Sequence, residues 1–140
     1  MLEPGGTSMI KLDDKNRVIM PPKTRPSLAG GVYLAKGQDK CLYLYSKPQF
    51  DAQREQNRLN PPPGMPPIAF KRMFFSSVVF QNMDKQGRVL VPFKLREYAG
   101  LVRDLALIVL EDWIEIWDAA SWEAYEAVYG PMYAQLFEEG

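Results

Sequence analysis

The sequence predicts a mixed α+β fold, mainly strands with short helices, built as one pseudo-symmetric domain from two tandem repeats. Three observations carry this reading. A ten-residue phrase occurs twice, as LDDKNRVIMP at 12–21 and MDKQGRVLVP at 83–92. Each copy is followed by two apolar runs split by a short polar turn, VYLAKGQDKCLYLYS (32–46) and LALIVLEDWIEIWD (105–118), which is a hairpin signal. Each hairpin then leads to an aromatic residue, Phe50 or Trp122, that opens a helix-like segment.

One unit therefore reads as strand, polar turn, strand, proline, short helix, hairpin, helix. The first strands are MIKL and SVVFQNM, and the turns are DDKN and DKQG. Asn16 and Gly87 stand where a tight turn favours positive φ, which Gly and then Asn tolerate best. The second strands, RVIM and RVLV, end at Pro21 and Pro92, residues that cannot continue a central strand but suit the first turn of a helix. FKLREYAGL then forms a short helix with Gly100 as its stop. In the first copy Pro26 predicts a shortened or distorted helix. PQFDAQREQNRL looks helical, and the prolines of NRLNPPPGMPPIAF forbid regular structure and make a semi-rigid spacer. After the second copy AASWEAYEAVYG is helical, with Ser121 as N-cap and Gly130 as stop. PMYAQLFEEG is a short tail helix, whose Met132, Tyr133 and Leu136 read as a docking face for another subunit or as local core. The extension MLEP is expected to be disordered.

The organisation that follows is repeat 1 at 7–49, a helix and Pro-rich linker at 50–77, repeat 2 at 78–121 and a C-terminal helical tail at 122–140. Each repeat offers about four short strands, near the limit of independent stability. Pairing the two copies in one chain, with hairpins interleaved into one small barrel, supplies a shared core. One compact structural domain is thus expected rather than two separate beads.

Composition narrows the function. The 140 residues carry 17 basic and 17 acidic side chains, no histidine and a single cysteine. No apolar run is long enough to span a membrane and none at the N-terminus has signal-peptide length, so a soluble intracellular protein is expected. A lone Cys41 fits a reducing compartment and reads as a small core residue. Without histidine the commonest general base and metal ligand are missing, and no P-loop, nucleophile elbow or dinucleotide fingerprint is present. The acidic residues Glu111, Asp112, Glu115 and Asp118 are the remaining catalytic candidates, but their alternation fits a solvated sheet face. No enzyme, cofactor, metal or small-molecule substrate is expected. Charge is uneven. The two phrase regions are basic, while every charged residue from Glu111 onward is acidic. This points to a polyanionic partner, although each part could simply be solvating its own surface.

The pattern Asp-x-x-x-Arg followed by strand, proline and basic-x-Arg, present twice, resembles the MraZ family of the AbrB/SpoVT superfamily. GTSMIKLDDKNRVIMPPKTR, GQDKCLYLY, DKQGRVLVPFKLREYAGL and IEIWDAASWEAY carry the resemblance across nearly the whole chain. It implies a swapped-hairpin, AbrB-like double-split β-barrel. It also implies a sequence-specific transcriptional regulator that binds double-stranded promoter DNA at direct repeats upstream of its own division and cell-wall operon, usually repressing it. A ring-shaped homo-oligomer in the cytoplasm, on the nucleoid, completes that expectation. The first copy departs from the family in reading KNR where KGR is favoured.

The residues suggest how such a protein would work. Arg17 and Arg88 each begin a strand directly after a turn, and arginine meets a phosphate bidentately or reaches guanine O6 and N7. Lys15 and Lys85 in the same turns are assigned to phosphates. Gln86 and Asn16 carry amides that read adenine or simply form the turn. Asp13 and Asp84 are assigned to the turns, accepting backbone N–H groups or orienting the arginine four residues on. Thus Lys15, Arg17, Lys85, Gln86 and Arg88 are the candidate DNA contacts, and Asp13, Asn16, Asp84 and Gly87 the turn-structuring residues. Lys23, Arg25, Lys94 and Arg96 are read as structural or surface residues ahead of DNA contacts. Two other readings compete: an AbrB-like oligomerising protein-interaction module in the manner of an antitoxin, and a nucleoid-associated DNA binder of low specificity.

Overall fold

A computed structural model describes residues 2–55 and 63–138. In chain order the elements are β1 (Thr7–Lys11), β2 (Arg17–Ile19), α1 (Arg25–Leu28), β3 (Val32–Lys36), β4 (Leu42–Ser46) and α2 (Lys47–Glu55). The second half repeats the plan with α3 (Pro67–Ser77), β5 (Val79–Gln81), β6 (Arg88–Leu90), α4 (Phe93–Ala99), β7 (Asp104–Val109), β8 (Ile114–Asp118) and α5 (Ala119–Gln135). The class is α+β.

The two halves interleave. Six strands form an antiparallel sheet in the order β1-β7-β8-β4-β3-β5, and β2 pairs with β6 as a separate two-stranded ribbon. The opening strand of each repeat therefore pairs with the hairpin of the other: β1 with β7, and β5 with β3. Exchanging the repeats maps this order onto itself. The ribbon is symmetric in the same sense, with Val18 opposite Val89, Arg17 opposite Leu90 and Ile19 opposite Arg88. Among the described residues the six-stranded sheet ends at β1 and β5, and its pairing does not close into a barrel.

Period-two alternation distributes the core. Val32, Leu34, Leu42, Leu44, Leu105, Leu107, Ile114 and Ile116 point to one face, where Val18 and Val89 of the ribbon, Leu28 of α1 and Leu95 of α4 close over them. The alternate residues point to the other face. There Ala35 and Tyr45 meet Phe50 of α2 and Phe74 of α3, and Cys41, Ala106 and Trp117 meet Trp122 and Tyr125 of α5. The sheet is thus covered on both sides, with ribbon, α1 and α4 on one and α2, α3 and α5 on the other. Among the described residues no helix is long and apolar enough to cross a membrane.

Several elements differ from the sequence reading. The proline-rich spacer does not stay irregular to its end: α3 begins at Pro67, because proline at the first helical position loses no hydrogen bond. Before α3 the spacer is irregular at 63–66, as read, while its first part and the end of the helix read in PQFDAQREQNRL fall at 56–62, outside the described residues. Gly130 does not stop the last helix. α5 runs through it and through Pro131, so the tail is not a separate helix. With no Cβ before the proline ring, one of the clashes that normally bars helix at that position is absent. Ser121 lies inside this helix, and the N-cap position is Asp118, without a side-chain cap bond. Glu115 is not a solvated sheet residue. Its carboxylate accepts the indole N–H groups of Trp113 (3.2 Å) and Trp117 (3.0 Å). The N-terminal extension is docked: Leu2 is 3% exposed within the main core, and Gly5 donates to Val109 O at 2.9 Å. Pro26, by contrast, acts as read, leaving repeat 1 with a 3-10 turn at Pro22–Thr24 and the one-turn α1 where repeat 2 has α4.

Because Leu2 is fully packed, Leu2→Ala should cost about 2 kcal/mol, the low end for leucine truncation. A shifted urea midpoint is the expected result, and an unchanged midpoint would mean that the N-terminal segment does not dock.

Candidate nucleic-acid interface

The two phrase copies fold into the same local structure. In each, an aspartate closes the turn that leads into a ribbon strand. Asp13 Oδ1 accepts the backbone N–H groups of Lys15 (2.9 Å) and Arg17 (2.8 Å), while Oδ2 accepts Arg17 Nε–H at 2.9 Å. Asp84 does the same for Gln86 (2.9 Å), Arg88 (2.8 Å) and Arg88 Nε at 2.7 Å. Hydrogen bonds to the charged form hold both carboxyls below the ordinary value of 3.8, those from the backbone N–H groups of Arg17 and Arg88 acting most strongly.

The turns also lock onto the opposite repeat. Met20 donates to Gly87 O (2.7 Å), and Val91 donates to Asn16 O (3.0 Å). Asn16 and Gly87 both take positive φ, 62° and 82°. At Gly87 there is a second constraint, since a Cβ there would lie 2.3 Å from Arg25 Nε. Arg25 of repeat 1 is therefore laid across the turn of repeat 2, and its Nε donates to Met20 O at 3.0 Å. Its counterpart Arg96 donates to Val91 O and sits over the Phe93 ring at 5.6 Å. These two arginines brace the ends of the ribbon strands. Lys23 and Lys94 are exposed.

Arg17 and Arg88 are different. Of each guanidinium it is Nε that the aspartate holds, and the side chains keep 24% and 31% of their surface exposed. Buried Val18 and Val89 fix the inner side of the ribbon, so alternation places Arg17, Ile19, Arg88 and Leu90 together on its outer side. The arginines are diagonal neighbours across the pair, about 7–8 Å apart at Cα. Lys15, Lys85 and Gln86 are exposed in the adjoining turns, while Asn16 is half-buried.

Sequence reasoning missed the apolar part of this face. Ile19 and Leu90, given no role beyond membership of their strands, are 43% and 45% exposed, and Phe93, three residues beyond Leu90, is 63% exposed. The alternation itself carried the signal, because a strand that buries Val18 or Val89 turns both of its neighbours outward. Cys41, the one thiol, is buried, and burial pushes its ionisation up strongly, so it is not an available nucleophile.

Since the fold favours the carboxylate, the turns are fully supported above the ordinary carboxylate range and lose that support as pH falls through the lowered values. Carbon-13 NMR titration should give midpoints below 3.8 for Asp13 and Asp84. In Asp84→Asn, the Gln86 and Arg88 amides should exchange faster. Ordinary midpoints in the wild type would show that these contacts do not persist in solution.

Comparison with known proteins agrees with this architecture. A family described as "MraZ protein, putative antitoxin-like" matches residues 4–61 and 74–131. "Transcriptional regulator MraZ" of Salinispora tropica is 45% identical over 135 residues, covering 96% of this chain and 94% of the relative. Proteins of the same name from Leifsonia xyli subsp. xyli and Thermobifida fusca are 42% and 40% identical, with the same coverage. A double match of this extent, falling on two interleaved halves with equivalent Asp–Arg turns, establishes that the chain belongs to the MraZ family.

Proposed function

We propose that the chain is a sequence-specific DNA-binding regulator of transcription. The observation that carries this is the pair of Asp-held arginines, Arg17 and Arg88, on one outward face of a rigid ribbon. The relatives are named as regulators of transcription, not as enzymes. A two-stranded ribbon fits the major groove, and an arginine held by its aspartate through Nε keeps two terminal amino groups that suit guanine O6 and N7. Lys15 and Lys85 take phosphates and fix register, and Gln86 offers an amide to an adjacent base or phosphate. Asp13, Asn16, Asp84 and Gly87 hold the turns in shape. The target we propose is a set of direct repeats upstream of the chain's own division and cell-wall operon, with repression as the outcome and the nucleoid as its place in the cytoplasm.

Few phosphate contacts come from one subunit, so binding at physiological salt calls for several subunits on neighbouring repeats. We infer a homo-oligomer, closed as a ring. Beyond Tyr125, α5 and the turn that follows it expose Tyr129, Met132, Tyr133, Leu136 and Phe137, and the charged residues of α5 are all acidic. At the other end of the same side of the sheet, α3 exposes Ile68, Met73 and Phe75 beside Lys71 and Arg72, with no acid. Unlike faces of opposite charge at opposite ends favour head-to-tail association, which propagates until it closes. The same exposed helix favours the second reading, a protein-interaction module in the antitoxin manner, but that role gives no reason for two outward arginines.

Fluorescence anisotropy with DNA from upstream of the gene, against a scrambled duplex, tests the first proposal. Wild type should prefer the upstream duplex with steep salt dependence. Each bidentate guanine contact is worth about 1–3 kcal/mol, so Arg17→Ala/Arg88→Ala should bind about thirtyfold more weakly or worse. Equal binding to both duplexes would indicate a nucleoid-type binder, and no binding to either the interaction module. Light scattering tests the second. Wild type should be a multiple of the protomer mass and Met132→Glu/Tyr133→Glu should dissociate, whereas a monomeric wild type would overturn the ring.

A further inference from the structure

We propose that Ile19 and Leu90 read the 5-methyl groups of thymines lying next to the bases engaged by Arg17 and Arg88. This inference rests on the DNA-binding reading above and names what that site recognises. The outer side of the ribbon carries four side chains, two arginines and two aliphatics, and the register sets each aliphatic directly across from an arginine: Leu90 opposite Arg17, Ile19 opposite Arg88. Both are nearly half exposed although the core has buried their neighbours Val18 and Val89 completely. Their exposure contributes nothing to folding and leaves apolar surface in the middle of an otherwise charged and polar face.

The chemistry of a duplex restricts what such groups can meet. Phosphates and bases present polar atoms to the ribbon, and the thymine 5-methyl is the apolar group displayed on a base edge in the major groove. An arginine on guanine and an aliphatic on a neighbouring thymine methyl would together read a G beside a T from one cross-strand pair. Ile19 is well suited to it, because a β-branched residue on a paired strand has little rotamer freedom left to lose on contact. The apolar surface is also lopsided. Phe93, three residues after Leu90 in the chain, is 63% exposed, whereas repeat 1 has Pro22 at the equivalent place. Methyl recognition should therefore be stronger at the end of the ribbon where Arg17 and Leu90 meet.

The test begins with duplexes enriched from a random pool by binding to the full-length wild-type protein, which requires no assumption about the operator. The best duplex is then synthesised with thymine, or with deoxyuridine at every thymine, and its affinity measured by fluorescence anisotropy at fixed salt. The same pair is measured with Ile19→Ser/Leu90→Ser, whose sites lie on the surface and whose folding is checked by its thermal transition. Wild type should lose about fourfold in affinity for each contacted methyl removed, the worth of roughly one buried methylene. The variant should bind the thymine duplex more weakly than wild type does and be indifferent to uracil. Equal wild-type affinity for the thymine and uracil duplexes, with sequence preference retained, would overturn the inference and leave the DNA reading standing. A variant as sensitive to uracil as the wild type would overturn the assignment to Ile19 and Leu90. If no duplex is enriched, the DNA reading fails and this inference falls with it.

Discussion

The antiparallel pairing of Arg17–Ile19 with Arg88–Leu90 is the contact on which the rest of the molecule depends. It joins two segments far apart in the chain and brings the two phrase copies together. Val18 and Val89 face inward from it with no exposure and close one side of the main core. Around it the sheet is built by exchange, each repeat giving its first strand to the other's hairpin. A single repeat would leave that strand without its partner and the hairpin with a bare edge, a poor basis for independent folding. The loop-closure entropy of so distant a pairing is offset only when both copies are present, which makes the fold one cooperative unit.

That pairing also gives the outward face its stiffness. A long cationic side chain normally loses considerable freedom when it binds. Here the loss is partly taken at folding, because the aspartate holds Nε and the two backbone N–H groups of the turn in one constellation. The aspartate holds each guanidinium by Nε, which restricts the orientation of its terminal amino groups. Preorganisation of this kind strengthens binding by reducing its cost, without adding a contact. The attraction between Asp and Arg is modest in itself at such exposure, so the pairs are better understood as orienting devices than as sources of stability.

How much of this was legible in the sequence depended on whether a residue's meaning was local. The repeated phrase specified the turns, the strands and the helix-opening prolines, since each rests on φ preference or on a missing N–H. Gly100 ended α4 in the left-handed conformation for the same reason. Misread residues were those whose role is set by context. Pro67 and Pro131 look like helix breakers, yet one starts a helix and the other follows a glycine that relieves its clash. Leu2 is one apolar residue in a polar leader, and only the main core beneath it gives it a place. Glu115 reads as solvated, but two indole donors, Trp117 on its own strand and Trp113 just before it, lie beside it. At the candidate interface the arginines stood out by recurrence, but Ile19 and Leu90 did not, because composition cannot distinguish an aliphatic turned outward from one turned inward.

The repeats are equivalent in plan and unequal in detail, and the inequality is concentrated at the candidate interface. Arg25 is laid across Gly87, where no side chain obstructs it. At the corresponding place in the other turn Asn16 carries a side chain, and Arg96 turns instead onto Phe93. The turn that presents Arg88 is thus crossed by a guanidinium from the opposite repeat, while in the other half the equivalent guanidinium stacks on an aromatic of its own repeat. Two such ends are not interchangeable to any ligand that touches both. A pseudo-dyad inside one chain permits what an exact dyad in a homodimer forbids: its two halves can diverge, and a single subunit then imposes a direction on what it binds. Repeated in the same orientation around the ring proposed above, such a subunit would favour sites arranged head to tail over palindromes, which is the physical sense in which the proposed direct-repeat target suits this fold.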